Sequence, residues 1–183
     1  MFHPNTEKLI AEWRAQRAGR RLPARTDLSP MQFGGLLPQL FILGREPNGT
    51  ELFRLSGGLV VDLHGRELRG ADFSALWSRP DRASIEHAMV EARQMAQIAV
   101  IQADGYTNEG DHLGLEIALA PLLGPTGAPD RTLGLYQPTS ATARLLGRPL
   151  EYLAYRSSEM AAAPEAPKRT HLRLVALDGA RVA

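Results

Sequence analysis

Apolar positions along the chain follow two periods. Leu9, Ile10 and Trp13 recur at the spacing of one helix face. The helix they predict is capped by Asn5 or Thr6 and runs to about residue 19, with Glu7 in its first turn, where an anion meets the positive end of the dipole. Its stripe is narrow on a polar cylinder and suits docking onto one surface, either the domain's own sheet or a partner subunit. Leu22-Pro23 stops this helix, and Ser29-Pro30 starts a short one through about residue 37, weakened by Gly34-Gly35 and closed by Pro38. Residues 39–44 read as a strand, Pro47-Asn48-Gly49 as a turn and residues 52–55 as a second strand, which together predict an antiparallel hairpin.

Gly57-Gly58 breaks the second strand, because glycine tolerates the angles of a tight reversal. The apolar run 59–63 is too short to be helical without packing, Gly65 to Gly70 is a polar turn, and Asp72-Phe73 caps another turn carrying Leu76 and Trp77. Residues 81–94 predict the longest helix of the core, with Ile85, Met89 and Ala92 on its buried stripe. Strands follow at 98–103, 113–120 and 131–137; in the middle one Leu113, Leu115, Ile117 and Leu119 alternate with Gly114, Glu116, Ala118 and Ala120. One face of that strand is large and apolar, and the other is small. Residues 139–146 and 150–159 read as helical, 161–167 as a linker and 168–177 as a strand that must add to a sheet edge. The fold class is therefore α+β: five antiparallel strands with short helices on one face, preceded by a helix (1–21) and followed by an extension (139–183) around a core at 22–138.

Several of these pieces resemble the PAS sensor domain, in particular an alphaproteobacterial group of small stand-alone PAS proteins. The resemblance is carried by Leu22-Pro23-Ala24-Arg25 with Ser29-Pro30, by Leu36-Leu37-Pro38 leading into Leu40-Phe41-Ile42-Leu43, by Phe53-Arg54-Leu55-Ser56-Gly57, by Gly65-Arg66-Glu67-Leu68-Arg69-Gly70, and by Pro121-Leu122-Leu123 with Gly134. It spans roughly residues 20–140 and implies a role in signalling, without naming a ligand or cofactor. It also implies a pocket between the sheet and residues 59–77, lined by Phe53, Leu55, Val60, Leu63, Phe73, Leu76, Ile85, Met89, Leu115 and Ile117; the same side chains would pack together in an empty domain.

Composition narrows the chemistry. The 183 residues carry a formal charge of +1, so nothing global attracts nucleic acid or anionic lipid. There is no cysteine, which removes disulfides, thiol catalysis, thiolate metal sites and cysteine-linked flavin photochemistry. The first residues lack a signal-peptide core and no apolar run approaches a membrane span, so the expectation is a cytoplasmic protein without membrane contact.

Candidate chemistry is sparse. No two of His3, His64, His87, His112 and His171 fall at helix-ligand spacing, so no metal site is predicted. His87 lies where some haem-binding PAS domains keep an axial ligand, yet its helical neighbours Ala83 and Glu91 are outside the apolar stripe, so a surface histidine is expected; His64 is expected to be structural. Glu116 is either a polar anchor for a ligand or the partner of an arginine such as Arg54. Arg66, Glu67 and Arg69 form either a gate or a stabilised turn. Neither a Gly-x-Ser-x-Gly elbow nor a phosphate loop is present, and no acid–base pair stands out, which argues against an enzyme.

The sequence thus predicts a non-enzymatic sensory or regulatory module that works through a signalling partner or a homodimer, with Leu9, Ile10 and Trp13 as the interface and a small ligand in the core as an option. The alternative is a phosphate, cyclic-dinucleotide or nucleic-acid binder using Arg14, Arg17, Arg20, Arg21 and Arg25. The absence of aromatics among these arginines argues against single-strand binding.

Overall fold

The computed structural model describes residues 1–161. Ten elements matter: α1 (Pro4–Ala15), α2 (Pro30–Phe33), β1 (Leu40–Arg45), β2 (Glu51–Ser56), α3 (Gly58–His64), α4 (Arg82–Met95), β3 (Ala99–Tyr106), β4 (His112–Leu122), β5 (Arg131–Pro138) and β6 (Tyr152–Met160). All strands pair antiparallel in the order β2-β1-β5-β4-β3-β6. The first hairpin thus joins β5, the last predicted strand of the core, as expected of an α+β sheet.

The sheet has six strands rather than five. The segment 150–159, read from sequence as helical, instead lies almost wholly in β6, which pairs with β3 from Tyr106↔Tyr152 to Ala99↔Met160. Without it, β3 would present a row of unpaired backbone groups. Of the segment read as the other helix, only Thr142–Leu145 is helical, as a 3-10 turn. The predicted strand at 168–177 and all but the start of the predicted linker lie outside the described residues.

Two cores share the sheet. On the inner face, α3, the 3-10 turn Ser74–Leu76 and α4 roof Phe41, Phe53, Ile101, Leu115, Ile117 and Tyr136. On the outer face, Leu9, Ile10 and Trp13 of α1 pack with Ile42, Val100, Ala118, Ala120, Leu133 and Leu135. The large/small alternation of β4 explains the arrangement. Leucines and isoleucine fill the inner face, whereas Ala118 and Ala120 leave room for a helix to lie close on the outer one.

Both ends of α1 are tied down. Its N-cap is His3, whose Nδ1 accepts from the Asn5 amide, rather than the predicted Asn5 or Thr6. The His3 amide donates to Glu116 (3.0 Å) and Asn5 Nδ2 to Gln137 (2.8 Å). At the other end Trp13 Nε1 donates to the Pro121 carbonyl at 2.9 Å. The helix ends at Ala15, earlier than predicted. Leu9, Ile10 and Trp13 are 0, 2 and 1% exposed, so the side chains expected at a subunit interface are buried on the chain's own sheet.

Candidate functional site

The inner face brings together nine of the ten residues expected to line a pocket: Phe53, Val60, Leu63, Phe73, Leu76, Ile85, Met89, Leu115 and Ile117. Their rings and those around them are in contact. Phe41–Phe53, Phe41–Phe73, Phe53–Phe73 and Phe73–Trp77 centroids lie 5.4, 5.6, 5.7 and 6.0 Å apart, the spacing of stacked and edge-on aromatic pairs. Gly134 makes this possible on the sheet side, because an added Cβ would sit 2.0 Å from the Phe41 ring.

Leu55 is the tenth, and it does not belong. Leu43 pairs with Phe53 but Ile42 pairs with Leu55, so Arg54 is the extra residue of a β-bulge. The bulge reverses the alternation. Phe53 stays inside with Leu43, while Leu55, 50% exposed, joins Ile42 on the outer face.

A polar pair is embedded in the inner core. His64 Nε2 and the Tyr136 hydroxyl share a hydrogen bond of 2.9 Å, and both residues are buried. Burial penalises the imidazolium and pushes His64 down to about 4; it also pushes the Tyr136 phenol up. His64 is a neutral structural group at neutral pH, as the sequence suggested.

Leu55 instead lines an apolar cleft of about 100 Å³ on the outer face, with Leu28, Phe33, Leu37, Leu40, Ile42 and Leu133. Arg25 and Pro30 complete the lining. Ser29 caps α2 by accepting from the Met31 amide, and this short helix holds Met31 out into solvent at 90% exposure. Leu37 is also exposed. The sequence reading missed Met31 and Leu37. Their signal was an apolar residue on each side of Gly34-Gly35, in a segment too short to bury both.

A second, polar cleft of about 290 Å³ opens between the β1–β2 turn, residues 72–74 and α4. Glu51, 7% exposed, lines it with Arg45 and Arg93. Arg93 Nη1 lies 2.8 Å from Glu51 Oε1 and Arg45 Nε lies 4.0 Å away. The contact with Arg93 lacks the alignment of a hydrogen bond, and neither carboxylate oxygen has a hydrogen-bond partner. Burial raises the Glu51 carboxyl above its ordinary range, against the pull of Arg93 and Arg45; burial likewise lowers Arg93. The sequence carried a signal here too, since Glu51 falls two residues before Phe53, on the apolar face of β2.

The remaining candidates are accounted for locally. Glu116 accepts from the His3 amide and from Gln102 Nε2, while Arg54 pairs with Glu46, so the expected Arg54–Glu116 pair is not formed. The bulge and the strand order explain it: β2 and β4 are separated by β1 and β5. Glu67 Oε1 accepts from the Leu68 and Arg69 amides, which is the turn-stabilising arrangement. The His87 side chain is 81% exposed. Of the N-terminal arginines, Arg20 pairs with Asp27, Arg21 donates to the Gln94 carbonyl, Arg14 donates to the Ala161 carbonyl and Arg17 lies over the Trp13 ring. Among the described residues no group of three or more His, Asp or Glu could hold a metal ion, and no helix is long and apolar enough to cross a membrane.

Comparison with known proteins fits this architecture. A family model described as a PAS domain matches residues 1–137, which includes α1. Similar solved structures include a Rhodobacter sphaeroides LOV protein (15% identity, TM-score 0.47, covering 79% of this chain and 72% of that one). They also include the LOV domain of the blue-light photoreceptor Aureochrome1 in its dark structure (14%, 0.44, 60% and 82%). A third is the PAS domain of a Colwellia psychrerythraea protein (14%, 0.45, 59% and 94%). These likenesses are too distant to carry an argument about ligand or partner. No curated protein matches the chain.

Proposed function

This chain belongs to the PAS domain family, and from that membership we propose a non-enzymatic sensory or regulatory module whose output is a contact with a second copy of itself, made through the outer-face apolar cleft. The observation that carries this reading is the pairing of Met31, 90% exposed, with an adjacent cleft of side-chain size, about 100 Å³. A two-fold contact uses one patch on both copies, so the patch must be complementary to itself. A projecting thioether beside an apolar hollow meets that requirement: Met31 of each copy would fill the hollow of the other. Methionine's flexible, polarisable side chain suits such a socket.

The ring contacts of the inner face support a packed core more than a chamber shaped around a ligand. The engagement of Arg14, Arg17, Arg20 and Arg21 within the chain favours this reading over phosphate binding by those arginines.

Light scattering across a concentration series tests the dimer. The expected outcome is a mass approaching twice 20.0 kDa for the native chain and a single-chain mass for Leu55→Asp. A native chain that stays single at high concentration, or a Leu55→Asp variant with undiminished association, would remove this surface as the contact.

A further inference from the structure

The polar cleft beside α4 has no role in the proposed dimer contact or in the packed inner core, yet it holds an arrangement that those leave unexplained. A buried carboxylate oxygen without a partner costs stability, and native proteins retain few of them. Glu51 is more than nine-tenths buried, lines the cleft, and has Oε2 with no hydrogen-bond partner. Arg93 sits 2.8 Å from its other oxygen. Asp72 cannot assist, because its carboxylate only accepts, from the Ser74 amide and hydroxyl. Among the described residues none donates to Glu51 Oε2, which leaves that oxygen open to a donor from a bound molecule.

The rest of the lining says what carries that donor. Arg45, its side chain 46% exposed, has no charge partner closer than the 4.0 Å to Glu51 among the described residues. It offers an anion site at the mouth, and the exposed carboxylate of Glu86 lines the same cleft. Phe73, Ile85, Met89 and Val90 supply an apolar wall. The space, about 290 Å³, is at the small end of ligand pockets. A compact molecule with one ammonium, one carboxylate and an apolar branch satisfies every one of these groups.

We propose that this cleft binds a free amino acid with an aliphatic side chain, its ammonium donating to Glu51 with Glu86 nearby, its carboxylate on Arg45 and its side chain against Ile85 and Met89. The site joins the β1–β2 turn to the C-terminal part of α4, so occupancy would brace two elements already linked by the Glu51–Arg93 ion pair. The inference is independent of the dimer contact, because Leu55 and Met31 line the opposite face.

The test is calorimetric titration of the full chain with L-leucine, alongside backbone NMR shifts. L-leucine is expected to bind and to shift amides within residues 45–51 and 85–93. Isoamylamine, which lacks the carboxylate, and 4-methylpentanoate, which lacks the amine, are each expected to bind at least roughly tenfold more weakly, as loss of a charge-assisted hydrogen bond implies. Arg45→Ala, at the exposed mouth, and Glu51→Gln, which keeps the shape of the side chain, are expected to weaken L-leucine by a similar factor. Should Glu51→Gln fail to fold, Arg45→Ala alone carries the mutational arm. The proposal is overturned if none of L-leucine, L-valine and L-methionine binds at about 10 mM, the range of very weak affinity. It is equally overturned if Arg45→Ala binds L-leucine as well as the native chain, or if the shifts fall outside these two segments.

Discussion

The two faces of the sheet solve the same burial problem in different ways. The inner face uses large side chains on both sides of the interface, with Phe41, Phe53, Phe73 and Tyr136 interlocked beneath α3, a 3-10 turn and α4. The outer face uses small sheet residues, Ala118 and Ala120, under a single helix, α1, fixed at both ends by hydrogen bonds. The first design leaves no element free to leave without exposing several rings. The second covers only part of its face, and the uncovered part is where Leu55, Leu37 and Met31 lie exposed. The PAS sheet here therefore has a closed side and a half-closed side.

The comparison makes α1 a structural part of each subunit, and Trp13→Ala is the strongest test. Loss of a buried tryptophan costs about 3–5 kcal/mol, with the lost Pro121 hydrogen bond included in that cost. Urea denaturation should show this loss at every protein concentration. A cost that vanished on dilution would return Trp13 to a subunit interface.

Lowering the pH should strain the inner face next. The neutral His64 of the native state resists protonation until about pH 4, whereas the unfolded chain takes up the proton near 6.5. The unfolded state thus binds more protons in this window, and stability is fully present above 6.5 and lost as pH falls towards 4, by about 1.4 kcal/mol per pH unit. Glu51 acts in the opposite sense: its raised carboxyl takes up a proton earlier in the native state, which offsets part of the loss as pH falls through the folded value. The slope should flatten in His64→Gln, measured by denaturation from pH 7.5 to 4.5. An unchanged slope would mean that His64 is accessible to protons in the native fold.

Gly134→Ala should cost about 1–3 kcal/mol, the range for overpacking a core. The Phe41 ring that the new methyl meets is itself fully buried against Phe53, Phe73 and Tyr136, so it has nowhere to move. Thermal denaturation of this variant measures how rigid the closed side is. Leu55→Asp on the half-closed side should change stability by no more than about 0.5 kcal/mol, as an exposed position does, while removing association.

The apolar periods made the strands, α4 and the α1 stripe legible, because each element keeps one face towards a core. The acceptor for that stripe was not legible: Ala118 and Ala120 showed that one face of β4 was small, but pattern alone does not say which helix lies on it. Leu55 was misplaced because a period of two assumes an unbroken pleat, and the bulge at Arg54 leaves no mark in composition. Residues 150–159 read as a helix, with Leu150, Leu153 and Ala154 at helical spacing; only the unpaired edge of β3 decides for a strand. Glu51 was legible in principle, as a charge on the inward parity of β2, but its partners Arg45 and Arg93 come from a separate strand and a distant helix.

The most direct test of the half-closed side exploits the absence of cysteine in the chain. Met31→Cys and Leu55→Cys proteins are mixed in equal amounts and oxidised mildly, with Met31→Cys plus Val90→Cys as the control, since Val90 is exposed on α4 over the inner face. The account predicts a mixed disulfide dimer between positions 31 and 55 that forms well ahead of the control pair. Equal rates for the two mixtures would contradict it.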